Sequence, residues 1–302
     1  MYDIIIVGAG PAGLSAAVYG LRAGKSVLLL EKESYGGQII NTPEIENYPG
    51  IKKISGYEFA ENLYQQAMNL GAELRYEAVT AIEPKEDAKR VLTNENSYSC
   101  KTIILATGAR HRRLGIEREE ELTGKGVSYC ATCDGMFFKG KDVAVAGGGN
   151  TALQDALFLS NYCKKVYLIH RRDKFRGEKR LEDALREKDN IEFVLNSQVV
   201  HLNGEKALSS ATVRDKNTKK EKELLVSGIF IAIGQEPQSQ IVQELVDIDE
   251  GGYIISGEEC HTNCAGIFTA GDCRTKSVRQ LATAVSDGAV AALKACEYME
   301  LR

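Results

Sequence analysis

Cys130 and Cys133, in the stretch Ser128 to Gly135 (SYCATCDG), are followed at once by the carboxylate of Asp134. A C-x-x-C pair of this kind can be half of a zinc site, a structural staple, or a disulfide that opens and closes during a reaction. Zinc needs two further ligands. The nearest candidates, Cys260, His261 and Cys264, lie in a segment that runs into a glycine turn with its own explanation, so the zinc reading is disfavoured. The start, MYDIIIVGAG, carries Asp3 and no basic leader region, which points to a cytoplasmic chain, where structural thiols are kept reduced. Eight cysteines there do not make a disulfide framework, and the expectation for the pair is redox chemistry. Cys100, Cys163, Cys260, Cys264, Cys273 and Cys296 have no close partner and read as small buried or half-buried hydrophobes. Asp134 could relay a proton, or could be only a turn residue ahead of Gly135.

A redox disulfide needs electrons, and the chain carries two stretches suited to a dinucleotide. The opening DIIIVGAGPAGLSAAVYGLRAGKSVLLLEK reads as a buried strand, a G-x-G-x-x-G turn (Gly8, Gly10, Gly13), a helix with small residues toward the sheet, and a second strand ending at Glu31. Glycines at these spacings permit a tight turn, close approach of a pyrophosphate to N–H groups at a helix N-terminus, and close helix–strand packing. Glu31, eighteen residues past Gly13, is placed to accept hydrogen bonds from a ribose. The pattern recurs in KDVAVAGGGNTALQDALFLSNYCKKVYLIHRR, with Gly147, Gly149 and Ala152 at the turn. Here the residue eighteen places on is His170, and Arg171, Arg172 and Arg176 follow. A basic cluster in place of the acid suits a 2′-phosphate, so the second site is expected to prefer NADPH to NADH. A solvated basic face or a nucleic-acid patch is the plain alternative for HRRDKFRGEKR, but its place at the end of the second strand favours the phosphate. The run KNTKKEKE (Lys216 to Glu223) has no such context and reads as a hairpin tip.

Each copy closes alike, with β-patterned segments, a polar turn, and an apolar strand ending in small residues: TIILATGAR (Thr102 to Arg110) and GIFIAIGQEP (Gly228 to Pro237). A third apolar strand, GIFTAGDC (Gly266 to Cys273), puts Asp272 after a glycine turn, and RQLATAVSDGAVAALKACEYM reads as a helix that returns to complete the first domain. A length of 302 residues agrees with two domains, since single cores stop growing near ~250–300 residues. With 38 Lys+Arg against 42 Asp+Glu, the net charge of −4 speaks against general affinity for nucleic acid or anionic membrane. The uncharged run Ile4 to Leu21 is nearly long enough to span a bilayer, but its glycines and its proline make it a strand, turn and helix.

In GAGPAG, GGQIINTPEIENYPG (Gly36 to Gly50), ATGAR, CATCDG, GGGNTA, HRRDKFR and TAGDCR…RQLATAVSDG, in this order and spacing, the chain resembles the bacterial low-molecular-weight thioredoxin reductases over nearly its full length. The resemblance implies an α/β fold of two Rossmann-like dinucleotide-binding domains (FAD/NAD(P)-binding fold), the second inserted in the first. Residues 1–112 and 240–302 would bind FAD, and 113–239 would bind NADPH and carry the C-x-x-C pair. It implies FAD contacts from Gly8, Gly10, Ala12, Gly13, Glu31, Gly36, Gly37, Gln38, Asn47, Gly108, Asp272, Arg279, Gln280 and Leu281. NADPH would be held by Gly147, Gly149, Asn150, Thr151, His170, Arg171, Arg172, Arg176 and Gly234. Cys133 would face the flavin, Cys130 would attack thioredoxin, and Asp134 would be their acid–base partner in a homodimer. Tyr48 stands where some members carry Trp. A sibling flavin-dependent disulfide reductase, a sulfhydryl oxidase and a non-catalytic redox-sensing protein are the alternatives to a thioredoxin-disulfide reductase.

Overall fold

The computed structural model describes all residues except Pro43, Glu86, Asp87 and Arg302. Two compact units emerge, Met1–Arg110 with Glu236–Arg302, and His111–Gln235.

In the first unit, a seven-stranded sheet has the order Glu73–Arg75, Val27–Leu30, Tyr2–Val7, Ser97–Leu105, Lys89–Thr93, Val79–Pro84. Strand Ile267–Thr269 also pairs with the C-terminal half of Ser97–Leu105. The strands around Tyr2–Val7 run parallel, and Lys89–Thr93 and Val79–Pro84 add antiparallel. Ile4, Ile5, Ile6, Leu28 and Leu29 are wholly buried because both faces of the parallel portion are covered, which is why these strands are continuously apolar rather than alternating. One face carries helix Pro11–Arg22 packed on the terminal helix, Leu281–Glu300. Their approach is close: a Cβ on Gly288 would lie 2.1 Å from the carbonyl oxygen of Ala12.

The second unit repeats the design with a five-stranded parallel sheet, ordered Ile191–Val194, Lys165–Ile169, Asp142–Gly147, Gly228–Ala232, Val127–Ser128. An antiparallel sheet of Ser197–Asn203, Ser210–Asp215 and Glu221–Leu225 covers one face, and helix Asn150–Ser160 the other. The turn at 216–220 forms the hairpin tip, and Glu221 to Glu223 already belong to the strand that leaves it. Among the described residues no helix is long and apolar enough to cross a membrane.

Candidate active site

In the first unit the fingerprint glycines have separate jobs. A Cβ on Gly8 would meet Ala106 O at 2.4 Å, and one on Gly13 would meet Gly8 O at 1.9 Å, so both positions are closed by backbone. Gly10 has nothing within 4 Å of that position, which leaves open space over the N-terminus of helix Pro11–Arg22. No side chain caps that terminus, so its N–H groups remain available to an anion. Glu31 accepts from the N–H of Ala9 (2.9 Å) and of Glu33 (3.0 Å), which fixes its carboxylate beside the turn. The N–H of Gly36 donates to Ala9 O at 2.8 Å, and Gly37 comes close to Gly10. Ala12 is buried against Gly271.

Other expected residues gather on the same unit. Gln38 donates to the carbonyl of Ala109, next to Gly108, whose backbone is left-handed (φ 69°). Asn47 donates to the side chain of Gln280 at 3.2 Å, and Gln280 caps the terminal helix that Leu281 begins. Arg279 lies with its guanidinium 3.9 Å from the centre of the Tyr253 ring and donates to Arg274 O. Asp272 sits in the 3-10 turn Gly271–Cys273 with Oδ1 buried and accepting no hydrogen bond from the described residues. Burial pushes its carboxyl up, opposed by Lys276 and Arg279. A buried acceptor without a donor is costly unless a ligand supplies one.

The second fingerprint repeats the pattern with a difference. A Cβ on Gly147 would lie 2.3 Å from Ala232 O, whereas Gly149 again has open space, at the uncapped start of helix Asn150–Ser160. Ala152 fills the third position, wholly buried, and Thr151 is exposed beside it. Asn150 holds Glu178 by accepting its N–H at 2.8 Å and donating to its carboxylate at 3.2 Å. The basic cluster divides in two. His170 is buried, stacked on Phe175, and so close beneath the turn that a Cβ on Gly148 would strike its ring at 2.2 Å. Burial, aided by the charges of Arg172, Arg171 and Arg176, holds its imidazole below the usual range, so it is neutral at pH 7. Arg171, Arg172 and Arg176 are exposed and pair with no carboxylate among the described residues, and the Arg176 N–H is tied to Gly148 O at 2.7 Å. Gly234 lies elsewhere on this unit, with φ 115° and its carbonyl accepting from the N–H of Arg112.

Cys130 and Cys133 are joined by a disulfide, with Cα atoms 5.3 Å apart. Strand Val127–Ser128 delivers the chain to Cys130, which starts the short helix Ala131–Asp134. The hydroxyl of Ser128 donates to Asp134 Oδ2 at 2.6 Å and accepts the N–H of Cys130 at 3.1 Å. Burial pushes the Asp134 carboxyl up, and the Ser128 hydrogen bond pulls the other way. Behind the pair, the Tyr129 hydroxyl donates to Glu119 at 2.8 Å, and Glu119 also accepts the N–H groups of Leu114 and Gly115. Nothing local in the sequence announces Ser128 or Glu119, because their side-chain partners, Asp134 and Tyr129, lie six and ten positions away and are reached by folding. Of the other cysteines, Cys264 is half-buried and five are buried. Burial raises Cys100 to about 12 and Cys163 and Cys260 to about 11, which keeps them as thiols at neutral pH.

Residues 2–288 match the pyridine nucleotide-disulphide oxidoreductase family. The chain is 41% identical over 301 residues to the thioredoxin reductase of Listeria monocytogenes, covering 99% of this chain and 94% of that one. The chain belongs to the thioredoxin reductases. It is also 43% identical to the bifunctional thioredoxin reductase/thioredoxin of Mycobacterium leprae, covering 99% of this chain and 66% of that protein's length. The crystal structure of thioredoxin reductase from Streptococcus pyogenes superposes with a TM-score of 0.95 at 41% identity, covering 100% of this chain and 99% of that one.

Proposed function

We propose that this chain is a thioredoxin-disulfide reductase that moves electrons from NADPH, through FAD and the Cys130–Cys133 disulfide, to oxidised thioredoxin. One observation carries the reading: the disulfide stands in the same unit as a dinucleotide turn with open space at Gly149 and three exposed arginines that pair with no carboxylate among the described residues. The first unit (residues 1–110 and 236–302) is the FAD domain and the inserted unit the NADPH domain. FAD suits the first because Gly10 leaves room for a pyrophosphate, Glu31 stands beside the turn for a ribose, and Asp272 Oδ1 awaits a donor. Gly8, Ala12 and Gly13 shape the pyrophosphate seat. Gly36, Gly37, Gln38, Asn47, Gly108, Arg279, Gln280 and Leu281 complete the site. FAD, when bound, supplies two-electron transfer between a nicotinamide and a disulfide.

The residues of the chain do the rest. Arg171, Arg172 and Arg176 hold the 2′-phosphate of NADPH, Asn150 and Thr151 line the helix N-terminus above it, and Gly234 completes the site. His170, neutral beneath Gly148, supports the turn. Two electrons open the Cys130–Cys133 bond. The Cys130 thiolate then attacks the thioredoxin disulfide, and Cys133 displaces the mixed disulfide, re-forming the Cys130–Cys133 bond and releasing dithiol thioredoxin. Asp134 takes up and returns the proton. Met136 and Phe137, exposed just after the pair, offer apolar surface to a protein acceptor. A relative that unites reductase and thioredoxin in one protein supports that acceptor. The working unit is a homodimer, and its compartment is the cytoplasm, as six unpaired cysteines suit a reducing environment. NADPH oxidation by the FAD-loaded protein tests the reading: thioredoxin should be a far better acceptor than small disulfides or oxygen. Oxygen serving as well as thioredoxin would make it a sulfhydryl oxidase or a sensor instead.

A further inference from the structure

Asp134 has one side-chain partner among the described residues, and that partner also holds Cys130. Ser128 is buried at the end of its short strand, with Oγ 2.6 Å from Asp134 Oδ2, 3.1 Å from the Cys130 nitrogen and 3.4 Å from the Cys130 carbonyl oxygen. A hydroxyl has one proton to give and two lone pairs to offer. The Cys130 N–H occupies one lone pair. With Asp134 ionised, the serine proton goes to the carboxylate, the shorter and charge-assisted contact. With Asp134 protonated, the carboxyl O–H donates to the second lone pair, and the serine proton turns to the Cys130 carbonyl. We propose that Ser128 is a positioning residue that sets the proton affinity of Asp134 and couples its protonation to the main chain of Cys130. This rests on the reading of Asp134 as the acid–base partner of the pair.

The surroundings leave Ser128 that control. Helix Asn150–Ser160 packs against Ala131–Asp134 and brings Asp155, and the turn after it brings Tyr162 and Cys163. The Tyr162 hydroxyl lies within 2.2 Å of where a Cβ on Gly135 would stand. Burial raises Asp155 to about 7, Tyr162 to about 12 and Cys163 to about 11, so the last two carry no charge at neutral pH. Burial pushes the Asp134 carboxyl up and the Ser128 hydrogen bond pulls it down. Behind the pair stand Tyr129, its hydroxyl held by Glu119, and His111 stacked on the Tyr129 ring, and the thiols of Cys130 and Cys133 join these groups once the disulfide is open.

The test is the pH profile of kcat/KM for NADPH-driven thioredoxin reduction by the FAD-loaded protein. Asp134→Asn identifies the ionisation that belongs to Asp134, by removing it from the profile. In Ser128→Ala that ionisation should move up by about one pH unit, because a hydrogen bond favouring the charged form is gone. Ser128→Thr keeps the hydroxyl and should stay near wild type, and Ser128→Ala added to Asp134→Asn should shift nothing further. FAD content and Tm report folding. If alanine disturbs the strand, Ser128→Val, which has the shape of Ser128→Thr without the hydroxyl, must move the same ionisation. A uniform loss of rate at every pH, with the ionisation unmoved, would reduce Ser128 to packing. If Asp134→Asn removes no ionisation, the acid–base reading of Asp134 fails and this proposal fails with it.

Discussion

Arg171 and Arg172 stand exposed with no carboxylate partner among the described residues, while His170 beside them is buried and neutral. Replacing both arginines with Ala should raise the KM for NADPH roughly 10- to 100-fold and barely change that for NADH, since a hydrogen bond to a charged group contributes about 1.5–3 kcal/mol. Equal losses with both nucleotides in steady-state kinetics would mean that these side chains do not read the phosphate. The two thiols should separate in the same way. Cys133→Ser, with Cys130 reduced and the reductant then removed, should form a mixed disulfide through Cys130 on mixing with oxidised thioredoxin, visible by mass spectrometry after an acid quench, because Cys133 is absent to resolve it. Cys130→Ser should accumulate none and, loaded with FAD, should instead show a long-wavelength charge-transfer band between the Cys133 thiolate and the flavin at neutral pH. Opposite results would exchange the two roles. At this scale the sequence announced the cysteines and the arginines, whose chemistry is carried by residue type. It did not reveal that His170 would lie under the turn rather than on the surface, because that is decided by how tightly Gly148 approaches the second strand's end.

Helix Leu281–Glu300 is fastened at the element scale by Asp287, which accepts from the Gly271 N–H at 2.9 Å and pairs with Arg274 and Lys276, all three side chains largely buried. Burial would push its carboxyl up, but the hydrogen bonds from Arg274 and Lys276 outweigh this and hold it below the usual carboxylate range. A lowered carboxylate contributes stability above its unfolded value of about 3.9, and loses it as pH falls through the folded value. Asp287→Ala, which strands two buried cations, should cost about 3–5 kcal/mol and flatten that acid limb of the unfolding free energy. Denaturant unfolding at pH 7 and pH 3 checks both, and an unchanged midpoint at pH 7 would refute the fastening. Strand, turn and helix of both fingerprints were legible because the glycine spacing between an apolar strand and a small-residue helix is itself the signal, although Gly8 and Gly147 are closed by the distant backbone of Ala106 and Ala232 and only Gly13 by a near neighbour, Gly8. The Asp287 ion pairs and the Glu119 contact to Tyr129 were not, since each depends on side chains that meet only after the chain has packed.

For the whole molecule, the chain leaves the first unit after Arg110 and re-enters it at Glu236, so the second unit is an insertion and each unit carries one dinucleotide turn. The purified protein should therefore be yellow, with one FAD per chain by absorbance after denaturation. A folded, colourless preparation that cannot be reconstituted would remove FAD from the scheme. The insertion was legible because the second fingerprint interrupts a first pattern that resumes at GIFTAGDC. The central claim is that electrons from NADPH leave through Cys130 and Cys133. It is tested most directly by adding one equivalent of NADPH to the FAD-loaded protein without oxygen, trapping thiols by alkylation, and reading each cysteine by mass spectrometry. Cys130 and Cys133 should both become labelled, and in a parallel sample given oxidised thioredoxin before alkylation their disulfide should be restored and the label found on thioredoxin instead. NADPH consumed while the Cys130–Cys133 bond stays closed would contradict the account.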